Sequence, residues 1–387
     1  MRIIVAPDSF KECLPAPQVA QAIADGLRQA WASAGPKDEP LQIVPVPMAD
    51  GGEGTVETVL AAAGGQLRKV TVTGPLGEPV EASFGLLADR ATAVLEMASA
   101  AGLHLVPLDR RDPTRTTTYG VGELIRAALD AGATRLLIGI GGSSTTDGGT
   151  GCAQALGWRF FDQADREIRE PMAGGLLGSL GRVDGSSRDP RLAKVELLVA
   201  CDVDNPLTGP NGSAAVYGPQ KGATPEQVRL LDEGLSHLAE LVKRDAGLDV
   251  ARISGAGAAG GLGAGLIAFC AGQLRRGIES VARIVDLAGK AAGADLVITG
   301  EGRLDEQSLR GKVIWGVASV AKSLGVPTVA LVGQIKAFQD DWSALLAGWL
   351  CIIDRPMSLQ EALAEAPRLL RNAGQQVLRL YLLGGKR

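Results

Sequence analysis

The sequence contains few of the residues on which several enzyme classes depend. It has only 2 histidines in 387 residues, which argues against metal sites and acid–base schemes built on several histidines. Its 5 cysteines are odd in number and none forms a CxxC pair, so neither a disulfide framework nor a zinc site is predicted. Reduced thiols favour a cytoplasmic location.

Long apolar runs and an excess of one charge are also missing. The longest weakly polar stretch, residues 255–270, is mostly glycine and alanine and is too short to span a bilayer. The N-terminal sequence MRIIVAPDSF lacks the apolar stretch and cleavage site of a signal peptide. A net charge of −4 favours neither nucleic acid nor an anionic membrane as a partner.

Glycine is the residue in excess, with 52 copies, about twice the average usage. The glycines are clustered, which indicates loops where the backbone approaches a ligand closely. A Walker A loop is nevertheless excluded. The motif requires Ser or Thr after its Gly-Lys pair, whereas Val313 follows Gly311 and Lys312.

Apolar runs rich in Val and Ile alternate with segments of helical periodicity. This alternation predicts an α/β fold with buried parallel strands and right-handed crossovers. The predicted strands are residues 2–6, 41–46, 92–96, 135–140, 195–200, 296–299, 328–332 and 349–353. The predicted helices are residues 17–32, 54–63, 121–131, 225–243, 278–288, 313–323 and 359–382.

The middle of the chain has a different pattern. Residues 70–87 predict short antiparallel strands, and residues 162–190 are polar and weakly periodic. We therefore expect an inserted α/β domain over residues 70–285 and a discontinuous domain formed by residues 1–69 and 286–387. The expected active site is the cleft between the two domains.

Several loops that follow predicted strands combine glycine and hydroxyl residues with carboxylates. In open α/β sheets, ligands bind at this carboxyl edge. In the first loop, Asp8, Ser9 and Lys11 could hold a phosphate or form a simple capped turn. In the second, Asp50 and Glu53 would repel a bare phosphate, so they favour Mg²⁺ or hydroxyl groups unless they only begin a helix.

Two further segments are candidates for phosphate binding. Residues 139–149 read GIGGSSTTDGG, and so many glycines and hydroxyls predict a nest for a nucleotide phosphate. Residues 255–260 contain the pattern GxGxxG, but residues 249–253 before it make a poor strand. This second segment is therefore a weak dinucleotide motif and is either a phosphate loop or a close helix contact.

Three other charged positions are candidates for activating or binding a substrate. Asp202 follows a strand and could accept the proton of an attacking hydroxyl, the alternative being an Asx-turn before Pro206. Arg303 could bind the carboxylate of an organic acid. Arg115, which precedes a predicted helix, could bind an anion, although a threonine cap explains the same segment.

These segments together resemble the glycerate kinase family known from bacterial glycerate and glucarate catabolism. The matching segments are PDSFK at 7–11, MADGGEGT at 48–55, TTTYG at 116–120, GIGGSSTTDGG at 139–149, CDVDNPL at 201–207, YGPQKGAT at 217–224, GAGAAGGLGAG at 255–265 and DLVITGEGRLDEQSLRGK at 295–312. The chain departs from the usual pattern at Glu12 and Cys13, where the family has Gly-Ser, and at Thr146, where it has Asn.

The resemblance implies ATP, Mg²⁺ and D-glycerate, with 2-phospho-D-glycerate as the expected product and the 3-isomer as the alternative. It also implies the two-domain type I fold, with a Rossmann-like parallel-sheet domain and a second inserted α/β domain. Neither a nucleic acid nor a membrane is expected as a partner, and a homodimer is a candidate assembly.

The motif positions give the expected site residues. Asp202, Lys11 and Arg303 are expected to be catalytic, and Asp8, Ser9, Arg115, Thr117 and Asp305 to bind substrate. Gly141, Gly142, Ser143, Ser144, Asp147, Gly255, Gly257, Gly260 and Gly300 are expected to bind the nucleotide, and Asp50 and Glu53 the metal.

Two other classes of function are alternatives. A nicotinamide-dependent dehydrogenase would use residues 255–260, but no ribose-binding acid follows at the end of the next strand. A noncatalytic sensor of organic acids would have lost its loop carboxylates, yet Asp202, Glu301 and Asp305 are all present.

Overall fold

The computed structural model describes residues 1–36, 38–304, 311–336 and 342–384. Its strands are β1 Arg2–Val5, β2 Gln42–Pro45, β3 Gly65–Thr73, β4 Pro79–Leu87, β5 Thr92–Glu96, β6 Arg135–Gly139, β7 Arg159–Asp162, β8 Leu180–Asp184, β9 Glu196–Ala200, β10 Gln273–Arg275, β11 Leu296–Leu304, β12 Thr328–Ile335 and β13 Gly348–Cys351. Its α-helices are α1 Ala16–Ala34, α2 Thr55–Ala63, α3 Ala98–Ala101, α4 Tyr119–Asp130, α5 Thr150–Ala155, α6 Ser213–Tyr217, α7 Pro225–Ala246, α8 Leu262–Cys270, α9 Gly277–Ile284, α10 Leu287–Ala291, α11 Val313–Ser323 and α12 Leu359–Gly384.

The chain forms two compact units. Unit 1 comprises Met1–Asp50, Glu57–Gly64 and Ile278–Arg387. Its sheet has the order β13-β12-β11-β1-β2, and all neighbouring strands are parallel. The backbones of α1 and α12 approach closely on this sheet, because a Cβ atom placed on Gly26 would lie 2.0 Å from the carbonyl oxygen of Arg371.

Unit 2 comprises Gly51–Val56 and Gly65–Gly277. Its main sheet has the order β10-β9-β6-β5-β4-β3. The four strands from β10 to β5 are parallel, and β3 and β4 continue the sheet in antiparallel fashion. A separate antiparallel pair joins β7 to β8. The core includes Trp158, whose indole N–H donates to the carbonyl oxygen of Phe269 at 3.1 Å.

The predicted α/β class is confirmed, and the predicted strands and helices lie within a few residues of the observed ones. Continuous apolar runs form strands buried on both faces, as Ile3, Ile4 and Val5 of β1 show. The helix expected at 278–288 ends earlier, at Ile284, because Asp286 adopts a left-handed conformation (φ 51°). Its carboxylate accepts from the backbone N–H of Gly289 at 3.1 Å and begins a new helix, α10.

The unit boundaries differ from the sequence-based ones at three places, the first being residues 51–56, which lie in unit 2. The β3–β4 ladder is continuous from the pair Gly65–Leu87 to the pair Thr73–Pro79, so the hairpin crosses the expected boundary at residues 69 and 70. Residues 278–285 lie in unit 1, where Ile278 occupies the space beside Gly316. The polar segment 162–190 contributes to the β7–β8 pair, and the short strand β10 was not predicted.

Among the described residues, none of the helices is both long enough and apolar enough to cross a membrane.

Candidate active site

The glycine-rich loop, residues 139–149, follows β6 in unit 2. Its residues Gly141 and Gly142 are exposed, whereas the rest of the loop is buried. Neighbouring backbone anchors it on one side. Leu103 N–H donates to Gly142 O at 2.8 Å, and both the N–H and the hydroxyl of Ser144 donate to Ala101 O at 3.0 and 2.9 Å. The turn at Gly141 and Gly142 is therefore accessible on an anchored base.

Asp147 holds the far end of this loop from inside the protein. Its carboxylate is fully buried and accepts from Thr118 N–H and Thr118 Oγ1 at 2.8 and 2.7 Å. It also accepts from Gly149 N–H at 3.0 Å and Gly151 N–H at 3.3 Å. Burial raises the pKa of Asp147, and the hydrogen bonds from Thr118 oppose that rise. Asp147 thus fixes the loop and does not face solvent.

The threonine segment before α4 packs against the same loop. Thr116 donates its hydroxyl to Ser144 O at 2.9 Å. The hydroxyl of Thr117 is buried and accepts from Tyr119 N–H at 3.1 Å, at the first residue of α4. Arg115, by contrast, is exposed. Of the residues expected in this segment to bind substrate, Arg115 is the accessible one, and Thr117 satisfies a backbone donor.

Lys221 lies beneath the glycine-rich loop and was given no role from the sequence. It ends a short 3₁₀ turn, Pro219–Lys221, and its side chain is only 2% exposed. Its ammonium donates to Ser143 Oγ at 2.8 Å and to Thr145 O at 2.6 Å. Burial lowers the pKa of Lys221 to about 7, and the charge of Asp147 opposes that shift.

The glycines of the segment 255–261 are buried against protein backbone. A Cβ atom on Gly257 would lie 2.1 Å from Pro206 O, and one on Gly260 would lie 1.8 Å from Thr145 O. The segment follows α7 and irregular backbone, so it lacks the strand–turn–helix context of a dinucleotide motif. Packing accounts for Gly255, Gly257 and Gly260, and their predicted contact with the nucleotide stays a prediction.

Asp202 lies just beyond β9 and is exposed, with its carboxylate accepting from Gly277 N–H at 3.0 Å. The backbone of Gly51 lies beside the ends of β9 and β6. A Cβ atom on Gly51 would meet the Cβ of Ala200 at 2.5 Å, and one on Gly139 would meet Gly51 O at 2.3 Å. The loop that carries the exposed Glu53 therefore runs along the same edge of the sheet as Asp202.

Glu96 holds that loop in place and was not expected from the sequence. Its carboxylate accepts from Val56 N–H at 2.8 Å and from Gly54 N–H at 3.3 Å. These are backbone donors at the beginning of α2, where a carboxylate also meets the positive end of the helix dipole. Glu96 comes 40 residues after Val56, so no local pattern in the sequence indicates the contact.

In unit 1, charged residues converge at the end of β1. Asp8 is buried, and its carboxylate accepts from Ser9 N–H at 2.6 Å and from Ser9 Oγ at 3.3 Å. Burial raises the pKa of Asp8 to about 7, and the charges of Asp50 and Glu301 add to the rise, while Lys11 and the Ser9 N–H oppose it. This unit thus concentrates negative charge at one strand end.

Strand β11 contributes the remaining residues of this region. Gly300 O accepts from Asp8 N–H at 2.8 Å, and a Cβ atom on Gly300 would lie 2.2 Å from Leu331 O. Arg303 is exposed near the end of β11. Asp305 lies outside the described residues. Across the described ranges, no group of three or more His, Cys, Asp or Glu side chains has an arrangement able to hold a metal ion.

Comparisons with known proteins agree with this arrangement. The profile of the glycerate kinase family matches residues 3–382. The chain is 47% identical over 382 residues to a glycerate kinase of Bacillus subtilis strain 168, covering 97% of each chain. It is 50% identical over 335 residues to the glycerate 2-kinase of Escherichia coli K12, covering 87% of this chain and 86% of the relative.

A solved structure shows the same fold. It is the crystal structure of a Salmonella typhimurium LT2 protein assigned as glycerate kinase 2. It superposes on this chain with a TM-score of 0.89 at 45% sequence identity. The alignment covers 100% of this chain and 99% of the solved chain. The sequence matches and the shared fold together show that this chain is a kinase belonging to the glycerate kinase family.

Proposed function

We propose that this chain transfers the γ-phosphoryl group of ATP to D-glycerate and releases 2-phospho-D-glycerate and ADP. The observation that carries the proposal is the 50% identity to the Escherichia coli protein named glycerate 2-kinase. The exposed turn at Gly141 and Gly142 supports it, because accessible backbone N–H groups bind phosphate oxygens.

The exposed carboxylate of Asp202 is the proposed base. It would accept the proton of the glycerate 2-hydroxyl as the hydroxyl oxygen attacks the γ-phosphorus and ADP leaves. A carboxylate in this role orients the nucleophile more than it activates it, because phosphoryl transfer depends mainly on positioning and on neutralising charge. The hydrogen bond from Gly277 N–H restricts where the Asp202 carboxylate can point.

Cationic side chains would neutralise the charges of substrate and phosphate. Lys11 and Arg303 are exposed, and their positive charges suit the transferred phosphoryl group and the glycerate carboxylate. The proposed substrate-binding residues are Asp8, Ser9, Arg115, Thr117 and Asp305, and those for the nucleotide are Gly141, Gly142, Ser143, Ser144, Asp147, Gly255, Gly257, Gly260 and Gly300. Within unit 2, the buried side chains of these sets would act by shaping the loops, and they are those of Thr117, Ser143, Ser144 and Asp147.

Carboxylate oxygens such as those of Asp50 and Glu53 are the donors that Mg²⁺ prefers. The charges of Asp50 and Glu301 both raise the pKa of Asp8, so these carboxylates lie close enough to interact. Mg²⁺ in kinases needs only one or two protein carboxylates, with phosphates and waters completing its shell. Asp50 and Glu53 are the proposed ligands, and the ion would supply positive charge to the phosphate oxygens.

Family membership favours the kinase over the dehydrogenase and sensor alternatives. The surroundings of Gly255, Gly257 and Gly260 add to this, because that segment does not follow a strand. Phosphorylation at the 3-hydroxyl is the alternative regiochemistry. The cytoplasmic location and the homodimer stay predictions.

A matched pair of substitutions tests the catalytic assignment. Asp202→Asn should lower kcat for ADP formation from ATP and D-glycerate by about 10²-fold or more, with unfolding temperature unchanged. Asp204→Asn is the control, since Asp204 is also exposed and lies two residues away. Near-normal turnover by Asp202→Asn, or an equal loss in the control, would contradict the assignment of the base.

A further inference from the structure

Lys221 is a charged side chain in a place where a charge is costly. The lysine is fully enclosed by unit 2, as are its partners Ser143 and Thr145. Lysine is almost never fully buried without a compensating partner, and removing an ammonium from water is costly even after the protein relaxes. The two hydrogen bonds to Ser143 Oγ and Thr145 O could be made by a neutral donor. The choice of a lysine at this position therefore calls for an explanation.

The contacts of Lys221 lie on one side of the glycine-rich loop. Ser143 directly follows the exposed pair Gly141 and Gly142, and Thr145 lies two residues further on. The opposite end of the loop is held by Asp147 and Thr118. Lys221 thus fixes the half of the loop that adjoins the accessible turn.

The surroundings of Lys221 leave its position little freedom. Gly222 follows it with a φ of 94°, and a Cβ atom there would meet Arg111 O at 2.4 Å. The 3₁₀ turn is therefore held against backbone just after the lysine. On the other side, the carbonyl oxygen of Thr145 lies against Gly260. A Cβ atom on that glycine would lie only 1.8 Å from this oxygen. Neighbouring backbone therefore restricts the positions of both the Lys221 side chain and the loop.

We propose that Lys221 is a positioning residue for the nucleotide phosphates. Its amino group holds Ser143 and Thr145 so that the Gly141–Gly142 turn keeps the shape that receives a phosphate. The inference rests on the proposed function, because it requires the glycine-rich loop to bind ATP. Lys221 contacts the loop and not the substrate.

Steady-state kinetics of Lys221→Met, Ser143→Ala and the double variant test the proposal. Lys221→Met keeps the length of the side chain and removes the amino group with its two hydrogen bonds, so it should raise KM for ATP about tenfold. KM for D-glycerate should change less than about twofold. Since both residues act through one contact, the double variant should be no worse than Lys221→Met alone.

One control variant and one second test variant separate this effect from general damage. Lys194→Met removes an exposed lysine of the same unit and should leave both KM values unchanged. Ser143→Ala leaves Lys221 its bond to Thr145 O, so it tests the proposal even if Lys221→Met does not fold. It should raise KM for ATP by about threefold, the effect of half to one kcal/mol from a hydrogen bond. Circular dichroism should show that each variant is folded.

The outcomes are distinct. Folded variants with an ATP KM within twofold of the unsubstituted protein, or with both KM values raised equally, would overturn the role of Lys221. Absence of ADP formation by the unsubstituted protein would instead reject the proposed function. In that case, equilibrium binding of ATP to the unsubstituted and Lys221→Met proteins still decides whether the lysine supports a nucleotide site.

Discussion

Asp147 accepts hydrogen bonds from both the backbone N–H and the hydroxyl of Thr118, at 2.8 and 2.7 Å, in the interior of unit 2. The same hydroxyl accepts from Cys152 N–H at 2.9 Å. Thr118→Val would remove these two side-chain contacts while keeping the shape of the residue. It should lower the free energy of unfolding by about 1–3 kcal/mol, because buried polar groups lose their partners.

Urea unfolding followed by circular dichroism measures this effect. Thr134→Val, at an exposed threonine of the same unit, is the matched control and should change stability by less than about 0.5 kcal/mol. If the two variants were equally stable, the carboxylate of Asp147 would not be an anchor of the glycine-rich loop.

Gly260 is the second test of how that loop is held. Both Gly260 (φ 73°) and Gly209 (φ 91°) are left-handed, but only Gly260 is crowded, with 1.8 Å between a Cβ atom and Thr145 O. Gly209→Ala should cost about 1–2 kcal/mol from conformation alone. Gly260→Ala should cost at least about 3 kcal/mol, because the backbone of residues 145 and 146 must also move. Thermal unfolding of the two variants compares them, and similar losses would contradict the close approach.

The ionised carboxylate of Asp8 lowers the stability of the folded protein. Its pKa is raised to about 7 by burial and by Asp50 and Glu301, so at pH 8 the group is ionised against that cost. Asp8→Asn should therefore raise the unfolding temperature at pH 8 and lower kcat. Asp38→Asn, at an exposed position of unit 1, should change neither. A destabilised Asp8→Asn variant with full activity would show that Asp8 serves structure.

Lys221 predicts a specific dependence of stability on pH. Its folded pKa is lowered to about 7 from an ordinary value of 10.5, by burial. Between these two values the unfolded chain binds a proton that the folded chain does not, so this group's contribution to stability increases as pH rises. The free energy of unfolding of the unsubstituted protein should therefore increase relative to that of Lys221→Met as the pH is raised from 7 to 9. Urea unfolding at each pH gives the difference, and a constant difference would contradict the lowered pKa.

The sequence predicted the regular elements well, because hydrophobic periodicity and local capping determine them. Strand β5 and helix α11 have the bounds expected from the sequence. The error at α9 and α10 came from Asp286, whose left-handed conformation no periodic pattern reveals. Several loops that carry candidate site residues do follow strands, as at Asp8 after β1 and Asp202 after β9, and their function stays a prediction.

The orientation of individual side chains was not predictable in the same way. Nothing local shows that Asp147 points into the protein while Arg115 is exposed, because backbone from other parts of the chain supplies the partners of Asp147. The bond between Lys221 and Ser143 joins residues 78 positions apart. Such contacts depend on how the elements pack, so the sequence identified the loops but not the residues that hold them.

The most direct test of the proposed reaction couples its product to enolase in the absence of phosphoglycerate mutase. The protein is incubated with ATP, Mg²⁺ and D-glycerate, and formation of phosphoenolpyruvate and ADP is followed together. We expect both to form at equal rates, since enolase acts on the 2-phosphate directly. Formation of ADP without phosphoenolpyruvate would place the phosphate on the 3-hydroxyl, and absence of D-glycerate-dependent ADP would contradict the proposed reaction itself.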